Sequence, residues 1–191
     1  ILLLGLSMGG ATALNTAGVN PEVAGVISLS AFSSFEDTVA DAMVRMGFPV
    51  WYTTLQKPFI SFYLRVKFGW STGNLQPEKQ IARLAGRPVL LIHTQEDDQI
   101  SVANLHRLLA RAPESVQSWI RPGNNHLVLS PEAFQDPRTD TAYRKRVESF
   151  LNHHFPVQHQ DQTGPEPALQ PQQPGATARE TVFWPIPDKV P

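Results

Sequence analysis

The residues Gly5-Leu6-Ser7-Met8-Gly9-Gly10 form a G-x-S-x-G pattern, with an apolar run before it and a small-residue segment after it. A serine at such a junction sits on a sharp strand-to-helix turn that lifts its hydroxyl above the sheet, where a nucleophile must be. Glycines two residues either side are expected to let strand and helix pass closely without a side-chain clash. The N–H of Met8 then faces a reacting carbonyl oxygen as an oxyanion-hole donor, helped by the helix N-terminus.

A nucleophilic serine requires a base, and the base requires an orienting acid. Two later stretches supply them in the order serine, acid, histidine. The first is His93-Thr94-Gln95-Glu96-Asp97-Asp98-Gln99, which closes an apolar run just before a helix. Asp97 is the candidate acid, and Glu96 and Asp98 are adjacent alternatives. The second is Arg121-Pro122-Gly123-Asn124-Asn125-His126, after the next strand-like run. An imidazole there, with an unperturbed pKa of ~6.5, can take the serine proton at neutral pH. His93, His106, His153, His154 and His159 fit that role less well, being at a strand end before the acid, on a helix, or near the tail. The candidate catalytic set is therefore Ser7, Asp97 and His126. It needs no cofactor. His153-His154 lacks a third ligand at useful spacing for a metal, and Gly9-Gly10 lacks the Lys-Ser/Thr of a phosphate loop.

These residues must be positioned by strands and helices. Leu2–Leu4 read as a fully buried strand, 8–18 as a helix with a small-residue face, and 23–29 as a second buried strand. That order is a βαβ unit and implies a parallel sheet. Ser33 or Ser34 can cap the next helix, with Glu36 and Asp37 in its first turn. Residues 48–75 are rich in aromatics and punctuated by Pro49, Pro58, Gly69 and Gly73, so short helices are expected. The region of about 35–80 reads as a lid-like insertion. A third strand is expected at 88–93, a helix at 101–112, a fourth strand at 116–120 and a last helix at 139–154. Two domains of unequal character follow: a folded part at 1–155 and a Pro/Gln-rich tail at 156–191, with eight prolines and too little apolar material to offset its ordering entropy.

Bulk properties exclude more than they propose. A formal charge of −1 gives no electrostatic footprint for nucleic acid. Zero cysteines remove any disulfide framework or thiolate nucleophile. No run approaches the ~18 apolar residues of a membrane span. Membrane association, oligomeric state and compartment are left open, with the cytoplasm as default. Because the chain opens inside an apolar strand rather than on Met, residues upstream are expected to be missing.

At these motifs the sequence resembles the α/β-hydrolase superfamily over residues 1–155. More narrowly it resembles the Bem46-like group, also described as serine aminopeptidase S33-like or prolyl-oligopeptidase-like. The resemblance is carried by 5–10, by Leu29-Ser30-Ala31-Phe32-Ser33-Ser34, by Arg87-Pro88-Val89-Leu90-Leu91-Ile92-His93 with Asp97, and by 122–126. It departs at Thr94, where the group usually has Gly, and at Ser101, where it often has Pro. The implied fold is α/β: the C-terminal half of a mostly parallel sheet flanked by helices, with a small helical lid. The implied activity is hydrolysis of an ester, thioester or amide through an acyl-Ser7 intermediate, on a small-molecule or lipid-like acyl substrate.

Ester or thioester is preferred over peptide, since the aromatics from Trp51 to Trp70 are as fit to line an acyl pocket as to fill a core. A serine peptidase, a non-catalytic binding protein and acyl transfer to an alcohol are the rivals. The second oxyanion donor of this fold lies upstream of the nucleophile. The chain alone is therefore expected to be poorly folded or inactive.

Overall fold

A computed structural model describes residues 1–74, 76–130, 133 and 135–156. The elements run β1 (Leu2–Leu6), α1 (Met8–Val19), β2 (Gly25–Leu29), α2 (Phe35–Arg45), α3 (Val50–Phe68), a 3-10 turn (Trp70–Asn74), α4 (Pro77–Ile81), β3 (Val89–Thr94), α5 (Ala103–Leu109), β4 (Gln117–Arg121), a second 3-10 turn (Pro137–Thr139) and α6 (Thr141–His154). The four strands form one sheet in the order β1-β2-β3-β4, and every pairing is parallel. Each crossover carries at least one helix, as parallel pairing demands.

β2 and β3 are buried at every position. Their side chains alternate between two cores, as the two-residue period of a strand requires. Val26, Val89 and Leu91 join Ala11, Leu14 and Ala17 of α1 and Leu105 and Leu108 of α5 on one face. Ile27, Leu29, Leu90 and Ile92 join Tyr143 and Phe150 of α6 on the other. The small residues of α1 let that helix lie against the sheet. Asp140 caps α6 by accepting the Tyr143 N–H (3.0 Å) and pairs with Arg121 Nη1 (2.5 Å), fastening the helix to the end of β4.

Two expectations need correction. Among the described residues β1 pairs with β2, and its burial is incomplete: Leu4, expected inside, is 58% exposed. The aromatic region is mainly one 19-residue helix, α3, which passes straight through Pro58. An interior proline costs about 3 kcal/mol. The rest of the α3 ladder and its packing on α2 outweigh the hydrogen bond that Pro58 forfeits. Glu36 and Asp37 stand in the first turn of α2, and the α2 carboxylates are tied to other elements. Glu36 and Asp37 are buried; Ser34 caps α2 through the Asp37 N–H, Lys57 of α3 reaches Asp37 at 2.6 Å, and Arg107 of α5 grips both oxygens of Asp41 at 2.7 and 2.8 Å.

Trp51, Leu55, Phe59, Phe62, Tyr63 and Val66 lie on the outer side of α3, each more than half exposed. None of the six joins either core. Among the described residues no helix is long and apolar enough to cross a membrane. The Pro/Gln-rich segment lies, from residue 157 onward, outside the described residues.

Candidate active site

The carboxyl ends of β1 and β3 and the loop after β4 converge on one point. Ser7 stands between β1 and α1 with φ 54° and ψ −118°, a backbone conformation that an L side chain rarely adopts. Two backbone bonds hold it there: its N–H donates to the Leu29 carbonyl (2.8 Å), and its carbonyl accepts from Ala11 N–H (3.1 Å). Its hydroxyl does not cap α1. Instead Oγ lies 2.8 Å from Nε2 of His126.

His126 is 5% exposed, and its Nδ1 lies 3.0 and 2.9 Å from the two oxygens of Asp97, itself 8% exposed. A carboxylate only accepts, so Nδ1 carries the hydrogen of the neutral ring. Nε2 is then bare and accepts the Ser7 O–H. Asp97 Oδ1 also takes the N–H groups of Gln99 (2.9 Å) and Ile100 (2.8 Å). Burial pushes the Asp97 carboxyl up, but the bonds from His126, Ile100 and Gln99 outweigh it and hold the group below its ordinary value. Glu96 and Asp98 are exposed, and it is Asp97 that bonds His126.

Further residues, for which the sequence carries no local signal, brace this arrangement. Ser30, fully buried at φ 47°, donates its hydroxyl to the His126 carbonyl at 2.6 Å. Thr94, at the position where the resemblance has Gly, donates to the Asn125 carbonyl at 2.8 Å. The acid and histidine loops are also joined backbone to backbone: Gln95 N–H to Arg121 O (2.8 Å), Glu96 N–H to Gly123 O (2.9 Å) and Asp98 N–H to Asn124 O (3.4 Å). Met8 is the first residue of α1, so its N–H is one of the four that a helix start leaves without an intrahelical partner. Among the described residues no group of three His, Cys, Asp or Glu is placed to hold a metal ion.

The glycines divide differently from expectation. A Cβ on Gly5 would lie 2.2 Å from the Gly9 carbonyl oxygen, and one on Gly10 2.7 Å from Ser28 Oγ, whereas one on Gly9 would meet nothing within 4 Å. The close approach needs Gly5 and Gly10; Gly9 faces open space. Gly5→Ala is therefore expected to destabilise by about 3 kcal/mol, since the obstruction is backbone and cannot yield. Gly9→Ala is expected to be neutral or to stabilise α1 by about 0.5–1 kcal/mol. Paired chemical-denaturation curves check both.

One turn of α1 beyond Ser7 a cavity of about 420 Å³ opens between α1, the end of β2 and α3. Ala11, Phe32, Phe35, Leu64 and Phe68 form its apolar wall, and Glu36 and Arg65 reach it as charged groups.

Comparison with solved structures identifies the architecture. The chain superposes on an alpha/beta hydrolase from Penicillium with a TM-score of 0.52, at 16% identity, over 81% of this chain and 63% of that one. The fold is the α/β-hydrolase fold. A Pyrococcus furiosus esterase matches with a TM-score of 0.52 and 18% identity, over 80% of this chain and 53% of that one. At these identities the likeness is one of α/β-hydrolase architecture alone. Among curated proteins, the uncharacterized protein YqkD of Bacillus subtilis is 27% identical over 151 residues, 78% of this chain and 46% of that protein. The chain thus spans about half the length of the curated relative it matches. No family model matches the chain.

Proposed function

We propose that this protein is a serine hydrolase in which Ser7 is the nucleophile, His126 the general base and Asp97 the orienting acid. One observation carries the proposal: an unbroken line of hydrogen bonds from Ser7 Oγ to His126 Nε2 and from His126 Nδ1 to Asp97. Ser7 Oγ attacks the acyl carbonyl as His126 Nε2 takes its proton, and the resulting imidazolium is stabilised at Nδ1 by the Asp97 carboxylate. The oxyanion accepts the Met8 N–H. His126 returns the proton to the leaving oxygen, sulfur or nitrogen, and water then releases the acyl group from Ser7 by the same steps in reverse. No step calls for a cofactor.

An ester or thioester of an apolar acid is the preferred substrate, because the cavity one turn of α1 beyond Ser7 has an apolar wall of the right kind for an acyl chain. Among α/β-hydrolases we place the chain nearest the Bem46-like group on its motifs. Met8 is the one oxyanion donor assigned by this reading, and loss of a donor typically costs ~10²–10³ in turnover.

One observation favours a serine peptidase as the second reading. Glu36 lines the cavity and accepts a hydrogen bond from Gln76 (3.0 Å), which puts a carboxylate on the cavity wall as the partner for a substrate's free amine. Turnover of aminoacyl amides in preference to acyl esters, lost in Glu36→Gln, would establish it.

The deciding experiment is fluorophosphonate labelling of the full-length protein, with the modified peptide mapped by mass spectrometry. The expected result is a single adduct on Ser7 that disappears in His126→Ala. A folded protein that takes no label at Ser7 overturns the hydrolase reading.

A further inference from the structure

Behind the acid lies a second imidazole that the proposed reaction does not use. His93, on β3, is 1% exposed. Its Nε2 is 2.8 Å from the Ile100 carbonyl oxygen and 3.4 Å from Asp97 Oδ2. Both neighbours only accept, so Nε2 carries the ring hydrogen and Nδ1 is bare, the opposite of the tautomer at His126. Ile100 is thus held at both ends: its N–H donates to Asp97 Oδ1 while its carbonyl accepts from His93.

We propose that His93 is a positioning residue: it anchors the 97–100 loop through the Ile100 carbonyl, so that the Asp97 carboxylate stays aimed at His126 Nδ1. The inference rests on the serine-hydrolase reading. Two loop N–H groups, those of Gln99 and Ile100, and the two neutral rings surround the buried carboxylate, and the cation it meets in the proposed reaction is the imidazolium formed at His126. A neutral His93 leaves that partnership undisturbed. Desolvation at its buried position lowers the basicity of His93 and favours the neutral ring, which agrees with the geometry.

Glutamine and methionine at position 93 separate the donor from the bulk. They have nearly the same length and shape, but only glutamine places an N–H where Nε2 stands. The rate of fluorophosphonate labelling at saturation is expected to fall roughly ten- to a hundredfold in His93→Met and to stay within about threefold of wild type in His93→Gln. The half-saturating probe concentration should be unchanged in both. Labelling of His93→Met at the wild-type rate overturns the proposal, as does an equal loss in both variants, which would mean that only packing is at stake.

A nitrogen-15 spectrum of the wild-type protein provides a check that does not depend on either variant folding. The expected His93 signals are a protonated Nε2 and a bare Nδ1; the reverse pattern also overturns the proposal. Failure of the underlying reading looks different: the wild-type protein would take no label at Ser7 while the His93 spectrum remained as expected, and a role in the reaction would be withdrawn for His93 along with that for Ser7.

Discussion

Ser7→Ala is expected to lower ester turnover by roughly 10⁴–10⁶-fold while leaving the fold in place. The substitution removes one atom, Oγ, whose partner is His126 Nε2 at 2.8 Å. Alanine keeps a Cβ and therefore keeps the strained backbone at φ 54°, held from outside by the bonds to Leu29 and Ala11. The loss falls on chemistry rather than on stability. Ser7→Gly supplies the contrast, because glycine adopts that conformation without a Cβ penalty. It should be equally inactive yet more stable than Ser7→Ala by about 1 kcal/mol. Turnover of a short-chain nitrophenyl ester and thermal melting of the two variants test both halves. A Ser7→Ala protein that retains more than a few per cent of the wild-type rate would place the nucleophile elsewhere.

The second large effect is expected at Asp97→Asn, a loss of about 10⁴-fold. The direction follows from the donors around the carboxylate. Gln99 and Ile100 direct their N–H groups at Oδ1, so an asparagine must put its carbonyl oxygen there, 3.0 Å from His126 Nδ1 but already taken by two donors, and its amide nitrogen at the Oδ2 position, nearer at 2.9 Å. A donor facing Nδ1 drives the ring hydrogen to Nε2. The ring then offers Ser7 a hydrogen instead of accepting one, and the base is lost with the geometry intact. The same NH₂ group would also confront His93 Nε2–H, so some stability should be lost.

The pH dependence has a defined sign. Asp97 is held below the ordinary carboxylate value of 3.8. Its contribution is thus present above that value and lost as the pH falls through the lower folded value. Asp97→Asn lacks this term, and its stability should fall less steeply than that of wild type below about pH 4. Denaturation midpoints measured from pH 2 to 6 read the difference directly; parallel curves would assign the acid sensitivity to Asp37 and Asp140, whose carboxyls are also held low.

What could be read in the sequence was whatever a short window encodes. The runs at 23–29 and 88–93 are apolar at nearly every position because both faces of β2 and β3 are covered, and that gave the parallel sheet. The glycine pattern at 5–10 marked the turn at Ser7, although it did not show which glycine the turn cannot do without. The choice among Glu96, Asp97 and Asp98 was not a local matter. It depends on the backbone of the 97–100 loop, which turns one carboxylate inward and leaves its neighbours in water. Ser30, His93 and Thr94 were out of reach for a similar reason, since none carries a spacing that announces a contact with residues 100, 125 or 126. The aromatic segment misled because proline and glycine count against a helix locally, whereas packing of α3 on α2, the Lys57–Asp37 pair included, decides the matter from a distance.

The backbone bonds that join the loops after β3 and β4 have a dynamic consequence. Gln95, Glu96 and Asp98 place their amide hydrogens on carbonyls of Arg121, Gly123 and Asn124, so these amides can exchange with solvent only when the two loops separate. They should accordingly share one opening free energy and lose deuterium protection together. The Ser7 amide is bonded to Leu29 of β2 instead, and its exchange is expected to be independent of theirs. Breathing of the β1–α1 turn would lengthen the contact between Ser7 and His126 while the spacing between His126 and Asp97 stayed constant.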